Sequence, residues 1–241
     1  RILNTNYRNS PEITEIANKL LLIKNARFGS IDKESNYLVT CNSRRSGTVE
    51  FLQDKEKTNR EMNAKTSRST RFAVIVMQAR DKAAARKYFQ TPLIFSVREA
   101  KGLEYENIIL FNFISNSARE FMEVINGVTT DDLKKDLHYA RARDKTDKSL
   151  EAYKFYTNSL YVAFTRSTCN LYVIEKNTQH RLWRLLGLAV VKDAAKIKTH
   201  VSSDGEWKEE AHRLELQGKA EQAHIIRKTI LSIHHLKKHV S

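Results

Sequence analysis

The chain has 241 residues, 42 of them Lys or Arg against 28 Asp or Glu, for a formal charge of +14. With 41% hydrophobic and 9% aromatic residues and only 7 Gly and 2 Pro, the composition supports one large packed domain with an appendage. It excludes collagen-like, mucin-like and wholly disordered chains. No apolar run approaches the roughly 20 residues of a membrane span, and Cys41 and Cys169 are too few for a disulfide framework or a thiolate metal site.

In chain order, Ser10-Pro11-Glu12 starts a helix, with Ser as cap and Pro in the first turn, and Ile13, Ile16, Ala17, Leu20 and Leu21 fall on its inner face. After a polar stretch over 25–36 come two short β-type runs, Tyr37 to Cys41 and Thr48 to Leu52. Lys55 to Lys65 reads as an exposed helix of mixed charge. Phe72 to Met77, Leu93 to Val97 and Ile108 to Phe111 are continuous apolar runs, the first two separated by a short helix from Asp81 to Phe89. Uninterrupted apolar strands alternating with helices indicate a parallel sheet covered on both faces. Ser115 to Lys148 reads as a polar surface insertion with helical pieces and a mobile loop, containing the basic run Arg141 to Lys145. A helix over Leu150 to Thr165, a last strand over Asn170 to Glu175 and a closing helix over Arg181 to Leu188 complete the body.

Three segments suit phosphate and nucleotide chemistry. Asn6-Tyr7-Arg8-Asn9-Ser10-Pro11 places an aromatic face and a planar guanidinium fork just before a helix N-terminus. Ser96-Val97-Arg98-Glu99-Ala100-Lys101-Gly102-Leu103-Glu104-Tyr105 joins two buried strands. Ligands of open α/β sheets bind beyond strand carboxyl ends, and there Gly102 would allow close backbone approach and Glu104 could bond a ribose hydroxyl. Leu160-Tyr161-Val162-Ala163-Phe164-Thr165-Arg166-Ser167 sets Arg166 at a helix end, able to reach a γ-phosphate.

Together and in this order, the three resemble the C-terminal half of a UvrD/Rep-type superfamily 1 helicase motor, over about residues 1 to 185, in a divergent branch whose motor accompanies repeats. The resemblance implies a RecA-like three-layer α/β fold over 1–190, the second motor domain, which closes over ATP and Mg²⁺ held mainly by an N-terminal RecA-like domain. It implies that Tyr7 stacks at the base, that Arg8 and Arg166 contact the γ-phosphate in catalytic roles, and that Glu104 bonds the ribose, with Gly102 alongside. Ser96 and Arg98 stand where the family contacts nucleic acid, Arg98 replacing the usual His. The implied partner is single-stranded nucleic acid, DNA ahead of RNA, in the cytoplasm, or the nucleus of a eukaryote.

No phosphate loop of the Gly-x-x-x-x-Gly-Lys-Ser/Thr form and no acidic Mg²⁺-holding strand end is present, so this chain alone is expected to be inactive. It opens at Arg1 directly into a structured segment and reads as a piece of a longer protein. The span from Asn25 to Arg71 is too short for the family's long accessory subdomain, which leaves a nucleotide-dependent switch or protein-interaction module as the competing function. From 191 to 241 the chain becomes a helical tail in which Trp207, Ala211, Leu214, Gly218, Ala223 and Ile230 have the spacing of one tetratricopeptide-like helix pair, a possible protein-binding element. Six of the eight His lie in this tail without zinc-type spacing.

Overall fold

A computed structural model describes residues 5–29, 38–134, 137, 149–191, 197 and 199–232. Its centre is a five-stranded sheet in the order β3 (Thr48–Gln53), β7 (Ser167–Glu175), β6 (Tyr105–Phe111), β4 (Phe72–Val76) and β5 (Ile94–Ser96). Every neighbouring pair is parallel. The strands read as unbroken apolar runs because each feeds two cores. Ala73, Ile75, Ile108, Leu110, Leu171 and Val173 point to one face, and Phe72, Val74, Val76, Ile109, Tyr172 and Ile174 to the other. Helices cover both faces, giving the three-layer α/β architecture expected from the sequence.

The first core is covered by α1 (Pro11–Phe28), α4 (Ala118–Val124), α5 (Ser149–Thr165) and α6 (Arg181–Leu185), and the second by α2 (Glu56–Thr66) and α3 (Lys82–Arg86). Ser10 caps α1 by accepting from the Ile13 amide, with Pro11 in the first turn. The buried stripe of α1 includes Ile13, Ile16, Ala17, Leu20 and Ile23, whereas Leu21 is only half-buried. The mixed-charge α2 is not wholly exposed, since Asn59, Met62 and Thr66 are buried against the sheet.

Of the two short β-type runs, the one ending at Cys41 lies outside the main sheet: among the described residues Thr40–Cys41 (β2) pairs with β1 (Thr5–Asn6) in a separate two-stranded parallel sheet. One expectation is corrected. The insertion after β6 is not a surface excursion throughout. Within it Phe121, Val124, Ile125 and Val128 are buried in the first core, because sparse apolar residues at helical spacing suffice to bury one face of α4 and the turn after it. Tyr37, most of the polar stretch before it, the run Arg141 to Lys145, and His234, His235 and His239 lie outside the described residues.

The tail forms a hairpin of α7 (Asp204–Leu216) and α8 (Ala220–Ile225), the latter continued by a wider helical turn over Ile226–Leu231. Gly218 makes the turn with φ of 71°, a left-handed backbone that glycine adopts without steric cost. The hairpin does not stand apart: Trp207, Ala211, Leu214, Ala223 and Ile226 belong to the same core as the sheet. Tyr105 at the start of β6 donates its hydroxyl to Glu210 at 2.6 Å, and Arg213 lies over the Tyr105 ring. Among the described residues no helix is long and apolar enough to cross a membrane.

Candidate functional site

The three motif segments converge at the amino ends of β6 and β7. Glu104 immediately precedes β6, Arg166 immediately precedes β7, and Arg8 follows β1 on the turn into α1. That turn is built by asparagines. The Asn6 carboxamide oxygen accepts from the amides of Arg8 (2.9 Å) and Asn9 (3.2 Å), which fixes the direction of Arg8. Asn9, 1% exposed, then donates to the carbonyls of Thr165 (3.1 Å) and Ser167 (2.5 Å), the two residues flanking Arg166. One buried amide thus fastens the first motif to the third across 156 residues of sequence.

Arg8 pairs with Glu104 at 2.6 Å, both side chains 41% exposed. Arg166 is more enclosed. It donates from Nη1 to the Leu103 carbonyl at 3.1 Å and from Nε to the Val162 carbonyl at 3.2 Å, and its own carbonyl accepts from the Tyr105 amide at 3.0 Å. Burial, and then the neighbouring Arg8 charge, hold the Arg166 guanidinium below its ordinary pKa, with Glu104 opposing. The Tyr161 phenol is pushed up by burial while Arg8 and Arg166 pull it down, so it faces both cations. Asn6, Arg8, Tyr161, Thr165 and Arg166 line a cleft of about 210 Å³. Two guanidiniums against one carboxylate leave the cleft with an excess positive charge suited to a polyanionic ligand. Tyr7, between the lining residues Asn6 and Arg8 in sequence but not itself lining the cleft, is 67% exposed.

The second segment does not lie wholly beyond a strand's carboxyl end, as expected. It leaves β5 at that end with Ser96 and arrives at the amino end of β6 with Glu104. Ile94 and Ile109 are both level with Val74, so Ser96 and Tyr105 are six residues apart along the strand direction, about 20 Å. Gly102 is needed for its φ of 87° and not for close approach, because an added Cβ would meet nothing within 4 Å.

The other end of this segment borders a second, larger cleft of about 380 Å³ at the carboxyl ends of β4 and β5, lined by Met77, Gln78, Ala79, Ser96, Arg98 and Phe155. Ser96 is buried and its hydroxyl is committed, donating to Glu99 at 2.8 Å while its amide donates to the same carboxylate at 2.7 Å. Burial pushes the Glu99 carboxyl up, but Lys82 at 2.8 Å and the Ser96 bonds outweigh it and hold the pKa low. Ser96 therefore braces the turn, and Arg98 is the member of the predicted pair with its charge exposed.

Asn9, Tyr161 and Phe155 had no role in the sequence reading. Asn9 and Tyr161 lie inside the quoted motifs, but nothing in a turn asparagine signals that it will be buried against carbonyls 156 residues away. Phe155 looks like any apolar residue of an amphipathic helix until its neighbours are known. Among the described residues no group of three or more His, Cys, Asp or Glu is arranged to hold a metal ion. No protein-family model and no curated protein matches the chain.

Proposed function

We propose that this chain is the second RecA-like motor domain of a UvrD/Rep-type superfamily 1 helicase or translocase, completing the ATP site of an N-terminal RecA-like domain. The observation that carries this is the meeting of Arg8, Glu104 and Arg166 at one cleft, drawn from three motifs up to 158 residues apart. The residues fit a nucleoside triphosphate: two guanidinium forks for phosphate oxygens, a carboxylate for a ribose hydroxyl and an exposed Tyr7 ring for the base. ATP would supply the transferable phosphoryl group and Mg²⁺ would neutralise its charge from the first domain. This chain's own part is to bring Arg166 and Arg8 to the developing negative charge and to orient the sugar through Glu104. In this structure Arg8 and Glu104 hold each other, so nucleotide binding would exchange that exposed pair for phosphate and ribose contacts.

Nucleic acid, single-stranded DNA ahead of RNA, would occupy the cleft at the opposite end of the strands, and the protein would act in the cytoplasm or nucleus, where both ligands are found. Among the described residues between α1 and β4 the elements are β2, β3 and α2, which favours translocation or nucleotide-dependent switching over strand separation by a large accessory subdomain. The deciding experiment is nucleic-acid-stimulated ATP hydrolysis by the protein carrying both motor domains, with Arg166 intact and replaced by Ala. Stimulated turnover that collapses in the variant supports the proposal; turnover unaffected by Arg166→Ala contradicts it.

A further inference from the structure

Phe155 sits in the middle of α5 with 43% of its surface exposed, at a position where the helix could have carried any polar residue. Its neighbour Tyr156 packs edge-on against Phe121 in the core, at 5.5 Å between ring centres, and braces Phe155 in turn at 5.6 Å. The exposed ring is therefore held by a second aromatic and does not hang free. Arg98 stands over it, its guanidinium carbon 6.0 Å from the ring centre. Arg80, in the 3-10 turn Ala79–Asp81 after β4, is exposed, and its charge reaches Tyr156, more weakly than that of Glu120 on α4. Among the described residues neither Arg80 nor Arg98 forms an ion pair, and the carboxylates next to them in sequence are committed, Asp81 to the Gln78 amide and Glu99 to Lys82 and Ser96.

A braced exposed ring beside two guanidiniums that form no ion pair among the described residues, at the rim of a 380 Å³ cleft beyond the carboxyl ends of β4 and β5, matches the two chemical demands of a single strand. A base offers a π-face to stack on, and the adjoining phosphates need cations. An acidic peptide would use the charges but leave the ring unexplained. We infer that Phe155 is a base-stacking platform for single-stranded nucleic acid, with Arg98 and Arg80 holding the phosphates on either side of the stacked nucleotide. The assignment rests on the nucleic-acid side of the function proposed above. It adds a consequence: Phe155 lies in α5 and Arg166 directly follows its last residue, about 16 Å further along, so a strand seated on Phe155 and a phosphate held by Arg166 would grip the middle and the end of one rigid element.

The test is the affinity of the purified 241-residue chain for a labelled oligothymidylate and for an abasic phosphate oligomer of equal length. The intact chain is expected to prefer the base-bearing strand. Phe155→Ala should lower that affinity about 5- to 100-fold, to the level of the abasic oligomer, without changing abasic binding. Phe155→Trp should restore it. Because Trp183 and Trp207 are 1% and 2% exposed, the added fluorescence reports the platform, and should be quenched by oligothymidylate but not by the abasic oligomer. Equal affinity of the intact chain for both oligomers, an Ala variant that binds oligothymidylate like the intact chain, or a Trp signal unmoved at saturation overturns the platform. Equally tight binding of polyglutamate would move the site to an acidic protein partner and overturn it as well. Failure here leaves the nucleotide cleft untouched, since that is read by hydrolysis and Arg166.

Discussion

Arg8 and Glu104, 96 residues apart in sequence, form an ion pair of 2.6 Å at the mouth of the cleft that also holds Arg166. Both ends are about two-fifths exposed, so water and salt screen the attraction and the entropy of fixing two long side chains offsets much of it. A double-mutant cycle of Arg8→Ala and Glu104→Ala, followed by chemical denaturation, should give a coupling below about 1 kcal/mol. A larger coupling would mean that the pair is a structural fastening and not an exchangeable one. In the assembled protein the same two substitutions should weaken nucleotide binding.

Arg166→Ala should act chiefly on turnover. A guanidinium at developing phosphoryl charge is worth roughly 10³ to 10⁵ in rate, more than it contributes to ground-state binding. Arg166→Lys should rescue poorly, lacking the planar fork, and Arg8→Ala should combine with Arg166→Ala less than additively. Arg166 also donates to the carbonyls of Leu103 and Val162, so its loss costs stability beyond that of a solvated helix-end cation, about 1.5 to 3 kcal/mol per charged bond. Circular dichroism at the assay temperature separates the two effects.

Single-stranded oligonucleotide binding by the chain should weaken with salt. With about three phosphates neutralised, raising monovalent salt from about 50 to 200 mM releases enough counterion advantage to lower affinity about tenfold or more. Fluorescence anisotropy titrations at several salt concentrations measure the slope, and a flat plot would argue against phosphate contacts by a +14 surface.

Glu175, fully buried at the end of β7, has its pKa raised to about 7 by burial, against the bonds it accepts from the Ser115 hydroxyl and the amides of Ile114 and Ser115. An acid whose folded pKa exceeds its unfolded value of 4.5 binds more protons folded than unfolded. Its contribution is therefore most favourable below pH 4.5 and is lost as pH rises to about 7. Glu175→Gln stays neutral and should remove this component. Its thermal midpoint relative to the parent should be higher at pH 8 than at pH 5, and a pH-independent difference would count against the assignment.

Tyr105 ties the tail to the motor, and burial followed by the Glu210 charge raises its pKa well above the ordinary tyrosine value. Tyr105→Phe should cost about 1 to 2 kcal/mol in urea unfolding by removing the hydroxyl donated to Glu210. Deleting the chain after Ser203 should cost far more, because it uncovers the core face on which Trp207, Leu214 and Ile226 pack. A truncated chain as stable as the parent would show the hairpin to be an independent unit.

Much of the fold was legible in the sequence because its signals are local. Apolar runs such as Phe72 to Val76 bury both faces of a strand whatever surrounds them, and Ser10-Pro11 caps a helix through bonds made within four residues. The order of Arg8, Glu104 and Arg166 was equally plain, since each lies in a recognisable segment. What tertiary structure decided was where those segments meet. The sheet register sends the loop after Ser96 from the carboxyl ends of the strands to their amino ends, separating Arg98 from Glu104. Asn9, silent in the sequence, becomes the clamp on either side of Arg166 because parallel pairing brings β6 and β7 to the same edge as the start of α1. Phe155 was indistinguishable from a core residue for the same reason. Whether an apolar side chain faces the core or a cleft depends on what packs against the helix, and for α5 that neighbour is α4, a segment whose polar composition hides the few buried residues that make it fold.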